Sequence, residues 1–437
     1  MAFREFETPY LTRRSLLRGS GLTGAGIAVA GLPFASLAQA HQLPTTGWTN
    51  VAAAVEEYVA SGKVANMIAA MGWGQGELEL IARGNLQLDG MTKADGDSLY
   101  RIYSMTKPIT GMATMMLIED GKLTLDTPLS DILPAFADMQ VQREYDGAIT
   151  ADNLEPAKAP ITIRHLLTHT AGLGYGIVQK GPIAKAYEQA GLIPGQVSRF
   201  PIPGLSRSKS VGSLEAFADG LAELPLVHQP GTVWSYSVSL DLLGRVIEVV
   251  SGMPFDTFLS ERIFEPLAMN STYFRVPDTQ IARLTTNYAV MNGTLLPIDP
   301  ASASIYSDEP AFPFGGAGLV SSPNDYDRFL RMLVGLGELE GVRVMQEATV
   351  RTATSNLLPD GVRTEGTWIA GEQFGAGGRV TGTAYGWGGA AGTAAFADIA
   401  SGLRAALFTQ YMPSETYPIQ NQFPELVLSD LAAMSTQ

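Results

Sequence analysis

Apolar and polar positions recur along this chain with two different periods, and the changes of period mark out its organisation. From Trp48 to Ser61 the apolar residues Val51, Val55, Tyr58 and Val59 fall at helical spacing, which predicts an amphipathic helix. Asn66–Gly72, Leu78–Leu86 and Ser98–Ile102 are short apolar runs parted by glycines, the pattern of strands in an antiparallel meander. Pro108 to Asp120 is apolar and methionine-rich and is followed by Gly121, which predicts a helix closed by a glycine cap. Residues 122 to about 310 change character. Helical stretches at Arg164–Thr168, Leu214–Glu223, Ser239–Val250 and Pro254–Glu261 alternate with Pro/Gly-rich loops, and Gly174–Ser213 reads as a long surface insertion. Strand-like runs return from Phe314. Ala394–Ile399 and Leu403–Thr409 flank Ala400-Ser401-Gly402, a hairpin signal, and Pro424–Met434 reads as a final amphipathic helix. Strands at both ends around a helical middle predict an α/β (α+β) domain, an antiparallel sheet flanked by helices, built from residues 48–120 and 311–437. A mostly helical domain, 121–310, is inserted between them.

Composition changes this picture in three places. The 437 residues carry a net charge of −14, which disfavours nucleic acid or an anionic membrane surface as partner, since both would repel the chain. Cysteine is absent, which excludes thiol catalysis, disulfides and cysteine-ligated zinc. The N-terminus has the form of an export signal. Thr12, Arg13, Arg14, Ser15, Leu16, Leu17 and Arg18 make a twin-arginine motif, a Gly/Ala-rich apolar run follows from Gly21 to Leu37, and Ala38-Gln39-Ala40 offers small residues at the positions a signal peptidase reads. Residues 1–40 are therefore expected to be a leader for the twin-arginine export machinery, cleaved after Ala40. The expected location is periplasmic or secreted, with no membrane anchor after cleavage.

The chemistry is expected at serine. A serine hydroxyl is a poor nucleophile until a base takes its proton. A Ser-His-acid triad is poorly supplied: the histidines are His41, His165, His169 and His228, and no Gly-x-Ser-x-Gly elbow occurs. Ser-x-x-Lys meets the same need, because residues i and i+3 share one helix face and burial lowers a lysine's pKa. It occurs twice. Ser104-Met105-Thr106-Lys107 follows a strand-like run and opens an apolar helix, and Pro108 fits only near a helix start. Ser206-Arg207-Ser208-Lys209 lies in a polar, proline-flanked loop and reads as chance. Tyr236-Ser237-Val238 precedes a helix, and a tyrosine beside a lysine can shuttle a proton if its pKa is depressed, although an ordinary half-buried tyrosine would read the same way. Gly386-Trp387-Gly388-Gly389-Ala390 could bring backbone close to a ligand, or could simply be a turn. His165 and His169 stand at i, i+4, but no third ligand is evident, so they read as structural hydrogen-bonding residues and no metal or cofactor is expected.

Together these segments resemble the class C β-lactamase-like serine hydrolases, which share a fold with penicillin-binding proteins, and most closely the family VIII carboxylesterases. The resemblance spans roughly Val51 to Tyr411. It is carried by Tyr100–Thr110, Ile161–Leu173, Tyr236-Ser237-Val238 with Leu242-Leu243-Gly244, and Gly315–Asp325. It implies that Ser104 attacks a substrate carbonyl, that Lys107 and Tyr236 move the protons, and that the backbone N–H groups of Ser104 and Ala390 hold the oxyanion. Trp387, Gly388, Gly389 and Val238 would border the substrate. Trp387-Gly388-Gly389 stands where the β-lactamases and peptidases of the class carry Lys or His before Gly, and Val238 stands where the β-lactamases have asparagine. Both departures favour a neutral ester. Amide hydrolysis (a weak β-lactamase, a D-amino-acid peptidase or an oligoamide hydrolase), acyl transfer to an alcohol, and a silent binding protein are the alternatives.

Overall fold

The computed structural model describes residues 47–200 and 210–435. The leader at 1–40 and the second Ser-x-x-Lys copy, Ser206–Lys209, lie outside the described residues. The centre is a seven-stranded, wholly antiparallel sheet. Its order across the sheet is Gln373–Phe374, Arg379–Thr381, Ala384–Gly388, Ala394–Asp398, Leu403–Phe408, Asn66–Trp73 and Glu79–Gly84. The strand Asn66–Trp73 thus lies beside Leu403–Phe408, which joins N-terminal and C-terminal parts of the chain in one sheet.

Period-two alternation explains why the sheet is covered on both faces. Met67, Ala69 and Met71 point to one face, where the helices Thr49–Ala60 and Ile419–Met434 seal them with Val51, Val55, Phe423 and Val427. Ile68 and Ala70 point to the other face, into the main core with Met105 and with Ile109 and Met112 of the helix Thr106–Glu119. That helix is flanked in turn by Ser239–Ser251. No helix of the described residues is long and apolar enough to cross a membrane.

Several expected elements move. Ser98–Ile102 does not join the meander: only Tyr100–Arg101 is extended, and it pairs with Val320–Ser321 outside the main sheet. Arg101 causes this. Its guanidinium is fully buried, ion-paired to Asp299 at 2.5 Å, and donates to the Thr285 carbonyl and the Ser304 hydroxyl. The nucleophile helix starts at Thr106, not Pro108, because the third helical position has no intrahelical N–H bond to lose. The last helix begins at Ile419 and tolerates Pro424 within it. Within 121–310 a hairpin, Asn287–Met291 with Thr294–Asp299, appears in a region expected to be helical. Its turn, Asn292-Gly293, has φ of 51° and 78°, the geometry an Asn-Gly pair favours, so the signal was present in the sequence. Within 311–437, where strands were expected to return, Ser322 caps a helix, Pro323–Val334, by accepting from the Asp325 N–H.

The Arg101–Asp299 pair stands three residues before Ser104, and an unpaired buried charge is costly. Asp299→Ala is expected to destabilise the fold by about 3–5 kcal/mol, read as a lowered midpoint in urea unfolding. A midpoint unchanged from wild type would show that the pair does not anchor this segment.

Candidate active site

The strand Tyr100–Arg101 ends in a tight turn. Tyr103 takes a left-handed φ of 42°, a conformation costing a non-glycine residue about 1–3 kcal/mol. Its hydroxyl accepts from the Asn287 side chain at 3.0 Å, which fixes the ring and hence the turn. Ser104 follows in a short 3₁₀ turn, Tyr103–Met105, immediately ahead of the α-helix Thr106–Glu119. The nucleophile thus sits just outside the first α-turn, where the helix dipole still favours developing negative charge.

Lys107 Nζ donates to Ser104 Oγ at 3.2 Å and to the Gly316 carbonyl at 2.6 Å. Tyr236 donates its hydroxyl to the same Ser104 oxygen at 2.7 Å, and Trp387 Nε1 donates to the Tyr236 oxygen at 3.3 Å. The three side chains proposed from the sequence therefore meet on one oxygen atom. Lys107 is fully buried, and burial lowers its pKa; the nearby Tyr175 and Asp241 work in the opposite direction. Tyr236 departs from the depressed pKa that proton shuttling was expected to need. Burial raises its phenol well above the ordinary value, only partly offset by its hydrogen bonds to Ser104 and Trp387. Of the two partners, Lys107 is the one whose surroundings favour the proton-accepting form.

The helix Ser239–Ser251 supplies a residue that the sequence reading missed. Asp241 is fully buried in its first turn. Its Oδ1 accepts from the Gly316 N–H at 2.8 Å, so one peptide neighbourhood binds Asp241 through its N–H and Lys107 through its carbonyl. Burial pushes the Asp241 carboxyl up to about 6, against the lowering effect of Lys107. An acidic residue in a first helical turn is common for dipole reasons alone, so nothing in the sequence marked it.

A shell of rings surrounds Tyr236. His169 and Trp368 lie 4.8 Å from its centroid, Tyr175 at 5.6 Å, Trp387 at 5.7 Å and Trp234 at 6.1 Å; Lys107 Nζ is 4.6 Å from the same centroid. His169 accepts from the Ser237 N–H through Nδ1, and burial, with the Lys107 charge, drops its pKa well below the ordinary value. His165 instead accepts from the Thr162 N–H in a capping box. The two histidines are thus engaged separately, and among the described residues no group of three or more His, Asp and Glu side chains could hold a metal ion.

The strand Ala384–Gly388 brings Trp387 and Gly388 to the site, and Gly389 closes the turn through its N–H to the Thr393 carbonyl at 2.7 Å. A Cβ at Gly389 would collide with the Ile102 carbonyl, so only glycine lets this segment reach the nucleophile turn. The Ser104 and Ala390 N–H groups are not used in the backbone hydrogen bonds of the described residues, and Ala390 packs against the cluster containing Tyr103. Val238 is wholly buried in the main core, in the cluster that also holds Tyr236, at the start of the helix Ser239–Ser251.

The chain is similar to known proteins in sequence and in fold. The Beta-lactamase family model matches residues 51–427. Protein Rv1367c of Mycobacterium tuberculosis is 34% identical over 283 residues, which is 65% of this chain and 65% of that protein; the chain thus matches just under two thirds of that relative's length. Esterase EstB of Burkholderia gladioli is 30% identical over 253 residues, 54% of this chain and 57% of EstB. The solved structure of EstCE1, described as a hydrolase with promiscuous acyltransferase activity, superposes with a TM-score of 0.71 at 24% identity, covering 89% of this chain and 99% of that one.

The Asp241 carboxylate raises the Lys107 pKa, so removing its charge must lower that pKa further. Asp241→Asn keeps an acceptor for the Gly316 N–H. It is expected to move the acid limb of the kcat/KM–pH profile to lower pH at an unchanged fold. A limb that stays in place, in a variant with wild-type circular dichroism, would detach Asp241 from the lysine's ionisation.

Proposed function

The chain belongs to the Beta-lactamase family, and from that premise we propose that it is a serine hydrolase cleaving carboxylic esters through an acyl-enzyme on Ser104. The observation that carries this reading is the Ser104 oxygen shared by Lys107 Nζ at 3.2 Å and the Tyr236 hydroxyl at 2.7 Å. Lys107, in its neutral form, takes the serine proton as Oγ adds to the ester carbonyl carbon. The Ser104 and Ala390 N–H groups receive the oxyanion. The tetrahedral adduct collapses, the bond to the alcohol oxygen breaks, and the serine proton is returned to that oxygen through Tyr236. Water then adds to the acyl-enzyme and surrenders a proton to the same pair, which restores the Ser104 hydroxyl and releases the acid.

Two features support an ester over an amide. By the resemblance, Trp387 stands where an amide-cleaving relative would carry a cation for a substrate carboxylate, and EstB, 30% identical over 253 residues, is an esterase by name. Acyl transfer to an alcohol is the second reading, supported by the acyltransferase activity in the description of EstCE1. The twin-arginine motif at Arg13 and Arg14 supports export to the periplasm or beyond.

Ser104→Ala is expected to lose at least ~10³-fold in kcat/KM on p-nitrophenyl acetate and butyrate, with nitrocefin turned over poorly by wild type. Brisk nitrocefin cleavage with little ester turnover would reverse the substrate class, and undiminished activity in Ser104→Ala would remove the nucleophile. Adding a primary alcohol should divert part of the acyl product to a new ester if transfer competes with water. Replacing Arg13 and Arg14 together by lysine should leave the protein in the cytoplasmic fraction of an expressing bacterium; unchanged periplasmic recovery would rule out the twin-arginine route.

A further inference from the structure

Trp368 is the one side chain of the ring shell that water reaches freely: it is 49% exposed, whereas Trp234 and Tyr236 are buried. Its ring nevertheless lies 4.8 Å from that of Tyr236, at an interplanar angle of 41°. An indole left half in water beside a reacting hydroxyl offers an unoccupied apolar face. The residue is held firmly. Ile369, next in the chain, is fully buried in the main core. The Trp368 carbonyl accepts from Arg379 Nη2 at 2.9 Å. Arg379 is fixed in turn by Glu372, its Nε 2.9 Å from the carboxylate, and its guanidinium carbon lies 5.2 Å from the centroid of Trp387. One arginine thus ties together the two tryptophans that flank Tyr236, and an aromatic slot held this way requires little ordering when it is filled.

The chemistry assigns the slot a tenant. Tyr236 donates to the Ser104 oxygen at 2.7 Å and, in the reading above, returns the proton to the departing oxygen, so the alcohol portion of the ester lies beside Tyr236 and its neighbours. We propose that Trp368 is a specificity-determining residue which, together with Trp387, receives the alcohol portion and favours planar aromatic alcohols over short aliphatic ones. Arg379 is the positioning residue that holds both rings. This inference rests on the ester-cleaving reading above.

The test compares wild type, Trp368→Ala and Trp368→Phe on ethyl, benzyl and 2-naphthyl butyrate, which share an acyl group, and on p-nitrophenyl acetate and octanoate, which share an alcohol. Trp368→Ala should lose about threefold to tenfold more kcat/KM on 2-naphthyl than on ethyl butyrate, the size of one aromatic stack. Trp368→Phe should recover most of that loss, and the acetate-to-octanoate ratio should not move. An equal loss on all three butyrates, or a loss that follows acyl length, overturns the inference. Calorimetric binding of 2-naphthol to the Ser104→Ala protein separates this from the failure of the esterase reading. If wild type cleaves no ester, 2-naphthol binding that weakens threefold or more on adding Trp368→Ala still supports the slot, and unaltered binding overturns it.

Discussion

A lysine amine taken fully out of water is the constraint on which the site depends. Desolvation moves Lys107 toward the neutral form, yet the same desolvation would make an unpartnered amine costly. The structure resolves this with one peptide carbonyl, that of Gly316, and one hydroxyl, that of Ser104. Everything else follows from keeping those two acceptors in place. Asp241 holds the Gly316 peptide by its N–H, and the glycine is obligatory because a Cβ there would run into the Asp241 carboxylate. The turn at Tyr103 holds Ser104 in front of the helix at the expense of a strained backbone.

Desolvation treats the two proton-handling groups in opposite ways. It makes the lysine easier to deprotonate and the tyrosine harder. The free site is therefore best described as a neutral phenol donating to the serine while the lysine is tuned to accept. The surrounding rings contribute to this division by burying the phenol, and the hydrogen bond that Trp387 Nε1 gives the Tyr236 oxygen offsets that burial only in part.

Much of this was legible in the sequence, and the reasons differ by residue. Ser104 and Lys107 were legible because their geometry is local: three residues along one chain segment. Tyr236 and the glycines before Ala390 carried weak signals alone and became readable through their order along the chain. Asp241, Tyr175, Trp368 and Arg379 had no such signal, because each acquires its role only by proximity across the fold. The strand expected over Ser98–Ile102 failed for a related reason: an apolar run cannot reveal that Arg101 is committed to a buried ion pair with a residue almost two hundred positions away. The hairpin over Asn287–Asp299 was a different kind of miss, since Asn292-Gly293 announced its turn in the sequence itself.

The buried arginine also bears on how this molecule comes to be folded. The Arg101 guanidinium reaches the Thr285 carbonyl, Asp299 and Ser304, and its backbone N–H donates to the Gln410 side chain at 3.2 Å. Those partners are synthesised long after Ser104. Contacts of such sequence separation make folding slow and place the loop-closure cost before its reward. A chain that ends before residue 285 has its serine but neither the partners that anchor the turn nor the segment that carries Ala390. The surroundings of the nucleophile are thus complete only once the C-terminal strands have joined Asn66–Trp73 in the sheet.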